Sequence, residues 1–185
     1  MLDGIYKTFY HNGNPEIQAN FKDGKLDGSY KTFDIERRCL LACNYKNDKL
    51  DGSYETFYSN GNPKIQANYK AGELNGSYKT FDVEGCCLLA CNYKNDKLDG
   101  SYKTFYSNGN PKIRTNFTDG KAEGFWEEFD IDGHLKYSRN DVDDWKKEQA
   151  KKQKEIKKEA SGKKAEAVTS VDFMRRILYS GNSGR

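Results

Sequence analysis

Apolar and polar positions along this chain repeat on a 24-residue cycle, and one cycle predicts one β-hairpin. In residues 50–73, the stretch Ser53-Tyr54-Glu55-Thr56-Phe57-Tyr58 is rich in strand formers. In Lys64-Ile65-Gln66-Ala67-Asn68-Tyr69 polar and apolar residues alternate, so Ile65, Ala67 and Tyr69 share one strand face. Asn60-Gly61 between them predicts a type I′ turn, whose two central residues both take positive φ. Pro63 opens the second strand, where a missing N–H is tolerated. Ala71-Gly72 then turns the chain into the next copy, and Tyr54 and Phe57 are assigned to the core. Copies begin at Leu2, Leu26, Leu50, Leu74, Leu98 and, in worn form, Ala122. The expected fold is mainly β: an elongated single-sheet antiparallel meander of six hairpins over 1–141, with a C-terminal α-helical tail over 142–185. Such a fixed period marks an array whose units bury their apolar faces against neighbours.

Copies also alternate in pairs, with a full period of 48 residues. Odd copies carry the turns Asn12-Gly13, Asn60-Gly61 and Asn108-Gly109; even copies carry Glu36-Arg37, Glu84-Gly85 and Asp132-Gly133. The even turns lead into Cys39-Leu40-Leu41-Ala42-Cys43 or its copy from Cys87, and there the alternation fails. Leu41, Cys43 and Tyr45 match the core-facing Ile17, Ala19 and Phe21. Leu40, Ala42, Leu88 and Ala90 then fall on the opposite face, where odd copies place Glu16, Gln18, Lys64 and Gln66. A strand apolar on both sides predicts a cover for its second side, which makes Leu40 and Leu88 candidate partner contacts.

The tail could supply that cover. From Asp143-Asp144 to about Glu159 a helical stretch has its acids early and its lysines late, as the helix dipole favours. Ser161-Gly162 breaks it. Beyond, Val171, Phe173, Met174, Ile177 and Leu178 form one helical stripe with Arg175 and Arg176 opposite. That stripe either packs on the sheet near Trp126 and Leu88 or docks into a groove on another protein. A further reading puts Lys146, Lys147, Lys151, Lys152 and Lys154 against anionic lipid, so that the chain binds a membrane surface peripherally. Glu148, Glu155, Glu159 and Glu166 are interleaved with these lysines and offset much of that attraction.

Charge narrows the classes. Residues 1–141 hold 19 Lys/Arg against 21 Asp/Glu, and 142–185 hold 12 against 7, so the positive charge belongs to the tail. A slightly acidic repeat region lacks the electrostatic footprint of a nucleic-acid binder, although 13 Tyr and 10 Phe could stack on bases. The first repeat begins at the N-terminus, which leaves no room for a signal peptide, and no run of 18 apolar residues predicts a membrane-spanning helix. The five cysteines suit a reducing, cytoplasmic setting. Cys39 and Cys43, four apart on a strand, would lie roughly 13 Å apart, too far for a disulfide. Cys87 and Cys91 repeat that spacing, so the thiols read as small apolar filling.

No catalytic constellation, metal-ligand spacing or cofactor motif emerges. His11 and His134 sit at turns in opposite ends of the array and cannot cooperate within one chain. Asp27, Asp51 and Asp99 precede turn glycines and read as turn residues. Glu127 and Glu128 adjoin Trp126 in the worn last copy, but neighbours on a strand face opposite sides.

The run Gly-Ser-Tyr-Lys-Thr-Phe-Tyr-Ser-Asn-Gly-Asn-Pro-Lys-Ile-Gln-Ala-Asn-Tyr-Lys, followed by Gly and Leu-x-Gly, resembles the MORN-repeat family. It is most similar to the variant form common in bacterial and large-virus proteins, over about residues 2–141. Tyr54, Phe57, Tyr69, Gly61, Gly72 and Gly76 carry the resemblance. The better-known eukaryotic form has a further glycine in the stretch where Thr56 lies, and its proposed phospholipid-binding role attaches to that form. Proteins of the variant type are often catalogued as antitoxins or interaction repeats. The resemblance therefore implies a non-catalytic scaffold with a protein partner, or self-association through the open sheet edges.

Overall fold

Strand formers and turn residues alternate without a slip, and each 24-residue copy folds as one hairpin. The computed structural model describes residues 1–139 and Gln153; the helices expected over 142–185, with the stripe Val171–Leu178 and the lysines from Lys146 to Lys154, lie outside the described residues. β1 (Gly4–Phe9) and β2 (Pro15–Lys22) form the first hairpin, β3 (Lys25–Phe33) and β4 (Cys39–Lys46) the second. β5 (Lys49–Phe57), β6 (Pro63–Lys70), β7 (Glu73–Phe81) and β8 (Cys87–Lys94) form the next two. β9 (Lys97–Phe105), β10 (Pro111–Thr118), β11 (Lys121–Phe129) and β12 (Leu135–Arg139) complete the series. Each strand pairs antiparallel with its sequence neighbours in one open sheet of 12 strands in chain order. Among the described residues β1 and β12 are the sheet edges.

One face is buried, and it is built in rows running across the strands. Tyr30, Tyr54, Tyr78 and Tyr102 form one row, extended by Trp126. Directly opposite them, in register, sit the small residues Cys43, Ala67, Cys91 and Thr115. The small residue leaves room for each ring to reach diagonally to the next aromatic on the partner strand. Edge-to-face pairs result in five successive copies, from Tyr6–Phe21 at 6.1 Å to Tyr102–Phe117 at 5.5 Å between centroids. Each such pair contributes about 0.5–1.5 kcal/mol beyond area burial. Leu26, Leu50, Leu74 and Leu98 fill a further row, and Ile17, Ile65, Leu89 and Ile113 another.

Phe57 departs from expectation. It is half-buried, because it stands three residues after Tyr54 and strand alternation turns it to the opposite face, beside the register shift between Thr56 and Phe57. The same shift recurs between Thr32 and Phe33 and between Thr80 and Phe81, and it leaves one unpaired residue on the facing strand.

The turn chemistry also differs from the sequence expectation, and the two ends of the sheet exchange roles. At Asn60-Gly61 only Gly61 has positive φ (+89°). Its N–H bonds the Tyr58 carbonyl at 2.9 Å, and the Tyr58 N–H bonds the Asn62 carbonyl at 2.9 Å. This is a type I turn closed by a glycine bulge rather than a two-residue type I′ loop. The loop needs one left-handed residue, not two. Type I′ geometry lies at the other end, where both residues of Asp23-Gly24, Asn47-Asp48, Ala71-Gly72, Asn95-Asp96 and Asp119-Gly120 have positive φ.

Hydrogen bonds between turns explain the 48-residue period. At the type I′ end every copy is tied alike: the turn N–H of Gly24, Asp48, Gly72, Asp96 and Gly120 reaches the leading leucine carbonyl of its copy at 2.8–3.0 Å. Asp27, Asp51 and Asp99 accept a further backbone N–H from the adjacent turn, which gives a structural reason for each. At the other end, copies are tied only in pairs. Asn60 and Asn62 both donate to the Val83 carbonyl, and Tyr58 Oη donates to the Phe81 carbonyl. The same triple clamp joins the first copy to the second through Ile35, and the fifth to the sixth through Ile131.

Arg37 stands where the sister even turns carry Gly85 and Gly133, and it holds φ +68°. An L-residue carrying a Cβ in that region costs on the order of 1–2 kcal/mol. Arg37→Gly is expected to raise the stability of the full chain by about 1 kcal/mol in denaturant unfolding. A lower midpoint would contradict the turn assignment.

Candidate functional site

The face opposite the aromatic rows is where function must be sought, since the buried face is closed by its own side chains. One rung of paired residues crosses all twelve strands there: Lys7, Gln18, Lys31, Ala42, Glu55, Gln66, then Lys79, Ala90, Lys103, Arg114, Glu127 and Ser138. Ala42 and Ala90 lie on this outer face, as the pattern predicts. Leu40 is the unpaired residue at the bulge beside Ala42 and is 38% exposed; Leu88, its counterpart, is half-buried. Ile35 and Val83, at the tips of the same even turns, are exposed, and their carbonyls are held by the asparagine clamps. Each of these two even copies thus presents an apolar tip and a leucine on a rigid mount.

A second rung binds the outer face together and then breaks. Asn20, Asn44, Asn68 and Asn92 donate to Ser29, Ser53, Ser77 and Ser101 at 2.8–3.1 Å. Their side chains pack over Gly28, Gly52, Gly76 and Gly100, where an added Cβ would meet them at 3.1–3.5 Å. In the last copy Phe125 replaces the serine, and nothing lies within 4 Å of a Cβ at Gly124. The space that the asparagine fills elsewhere is open. A shallow concavity of about 340 Å³ occupies it, lined by Ser101, Lys103, Arg114, Asn116, Phe125 and Glu127. Phe125 is 62% exposed. The Arg114 guanidinium lies 4.7 Å from the centre of the Phe129 ring, which anchors its position.

Glu127 is legible in the sequence as a departure beside Trp126; Arg114 and Lys103 are not. Phe125 carried a signal, since Ser29, Ser53, Ser77 and Ser101 hold the equivalent place. Glu127 and Glu128 face opposite sides as expected: Glu127 pairs with Arg114 on the outer face and Glu128 with Ile113 on the buried one.

Two other clusters have architectural explanations. Ligand atoms of Asp130, Asp132 and His134 lie within 4.8 Å of one another. Asp130 accepts the backbone N–H groups of His134 and Asp132, which hold its carboxyl below the usual range. Asp34 caps its own turn the same way, and there Arg38 closes on Asp34 and Glu36. The cluster is a turn cap repeated through the even copies. The five thiols are free; burial pushes Cys43 and Cys91 up to about 12, which makes them poor nucleophiles. His11 and His134 lie in the first and last hairpin turns and are not brought together.

Among known families, the model described as MORN repeat variant matches residues 2–23, 50–71 and 98–119, which are the three odd copies. No curated protein matches the chain. No helix among the described residues is long and apolar enough to cross a membrane.

Burial sets an order of thiol reactivity. In maleimide labelling of the native chain at pH 8, mapped by mass spectrometry, Cys39, Cys86 and Cys87 react in the folded chain, and Cys43 and Cys91 only on unfolding. Because the folded thiols hold their protons above the unfolded value of about 9, stability is intact below that pH and falls as pH rises toward 12. Equal labelling of all five would contradict the buried row.

Proposed function

We propose that this chain, a member of the MORN-repeat family, is a non-catalytic interaction scaffold whose outer sheet face docks another protein. The observation that carries the reading is the apolar presentation by the second and fourth copies. Leu40 with Ile35, and Leu88 with Val83, stand at positions where the odd copies carry charged or polar residues. The two sets are four strand spacings apart, about 19 Å, a distance that one partner surface spans. The asparagine clamps fix each tip before binding, so little ordering entropy is lost on docking. An antitoxin-like neutraliser is one form of this reading, and self-association through the open edges of β1 and β12 is another. Five free thiols suit work in a reducing compartment such as the cytoplasm.

The test is capture from source lysate at moderate salt, with the full chain and a Leu40→Glu/Leu88→Glu full-length variant. A protein retained by the parent and reduced about tenfold by the variant is the expected result. Equal retention by both would move the docking surface elsewhere. No retention, with sedimentation on anionic vesicles instead, would replace this reading with peripheral membrane binding.

A further inference from the structure

The rung across the outer face has a feature that occurs only once. Lys7, Lys31 and Lys79 are flanked by neutral residues, whereas Lys103 and Arg114 are directly opposite each other on β9 and β10. Like charges placed so repel, and neither forms an ion pair among the described residues. This cation pair, with Glu127 facing only its Arg114 side, lies at the one break in the asparagine–serine rung, where the concavity opens and Phe125 projects from its wall. Charge, shape and the loss of repeat symmetry coincide at one place.

The geometry points to a binding site for an acidic peptide segment, with one carboxylate between Lys103 and Arg114 and a neighbouring apolar side chain against Phe125. This assignment rests on the interaction reading above and adds the chemistry of the partner. The carboxylate relieves the repulsion between two cations and gains charge-assisted hydrogen bonds from the guanidinium. Arg114 is held for this by its stacking on Phe129, so its fork is partly oriented before binding. The Phe125 ring supplies apolar contact that a serine in the sister copies cannot. Asn116 and Ser101 offer side-chain hydrogen bonds to a peptide backbone at the rim, and Glu127 accepts a peptide N–H.

Glu127 also sets the selectivity. It follows Arg114 along the rung, so the site accepts one negative charge and repels a second beside it. A nucleic-acid strand carries a phosphate at every nucleotide and meets that repulsion; an extended peptide with two neutral residues between its acids puts the second charge about 10 Å away and meets less of it. The volume of about 340 Å³ suits one or two side chains rather than a folded domain.

The test is fluorescence anisotropy of the full chain with a fluorescein-labelled peptide of alternating Gly, Glu and Leu. The same peptide with Gln for Glu, a labelled oligothymidine and vesicles containing anionic lipid serve as competitors or controls. Two variants install sister-copy residues that this sheet already accommodates: Arg114→Gln and Phe125→Ser, the second also restoring a partner for Asn116. Saturable binding of the Glu peptide is expected, weakened about tenfold or more by the Gln peptide and by each variant. Absence of saturable binding, equal binding of the Gln peptide, or unchanged affinity in both variants would overturn the assignment. So would preferential binding of oligothymidine or vesicles through the same two residues. The Leu40→Glu/Leu88→Glu chain separates this site from the wider reading. If its partner capture is lost while the peptide never binds, the scaffold stands and this site falls.

Discussion

The rest of this structure depends on how a sheet made of short hairpins covers its own apolar face. Few large aliphatic residues are available, and the cover comes from tyrosine rings set diagonally across paired strands. That arrangement dictates the residues around it. A ring can lean only if the residue directly opposite is small, hence the row of Ala19, Cys43, Ala67, Cys91 and Thr115. The two buried cysteines need no redox or metal role, because they occupy the same place as alanines. Each ring touches the adjacent strand of its own copy, and each leading leucine closes against the copy before it, so no hairpin completes its core alone.

Regularity on the buried face leaves the outer face free to vary. The two ends of the sheet divide the work. At the type I′ end, identical ties fix every copy in register. At the other end, tyrosine and asparagine clamps join copies in twos and mount Ile35, Val83 and Ile131 on rigid turns. The alternation of odd and even copies is therefore a division between clamp and clamped. The fifth and sixth copies keep the clamp but lose the asparagine–serine rung, and the concavity follows directly from that loss.

The period, the hairpins, the chain-order sheet and the core identity of Cys43 and Tyr45 are legible in the sequence, because strand alternation reports burial directly; Leu41 shares their face but is only half-buried. The turn at Asn60-Gly61 was misjudged because the dipeptide alone does not fix loop length; the bond between Tyr58 and Asn62 does. Phe57 belongs with the outer face rather than with Tyr54, because the two stand an odd number of residues apart on one strand. The concavity was harder still. It arises from a missing contact between Asn116 and Phe125 across a register shift, and the pairing has to be known before the absence has meaning. The outer-face leucines Leu40 and Leu88, by contrast, are readable because they break a pattern within their own strand.

Hydrogen exchange on the full chain, parent against Tyr54→Ala, addresses the central claim that each hairpin is held by its neighbours. Truncating a ring that is 5% exposed and leans on Tyr69 should cost about 3–5 kcal/mol. The account predicts that amide protection then falls in β4, β6 and β7 as well as in β5, with the effect fading toward the sheet edges. Loss of protection confined to β5, with the neighbouring strands as slow as in the parent chain, would contradict it.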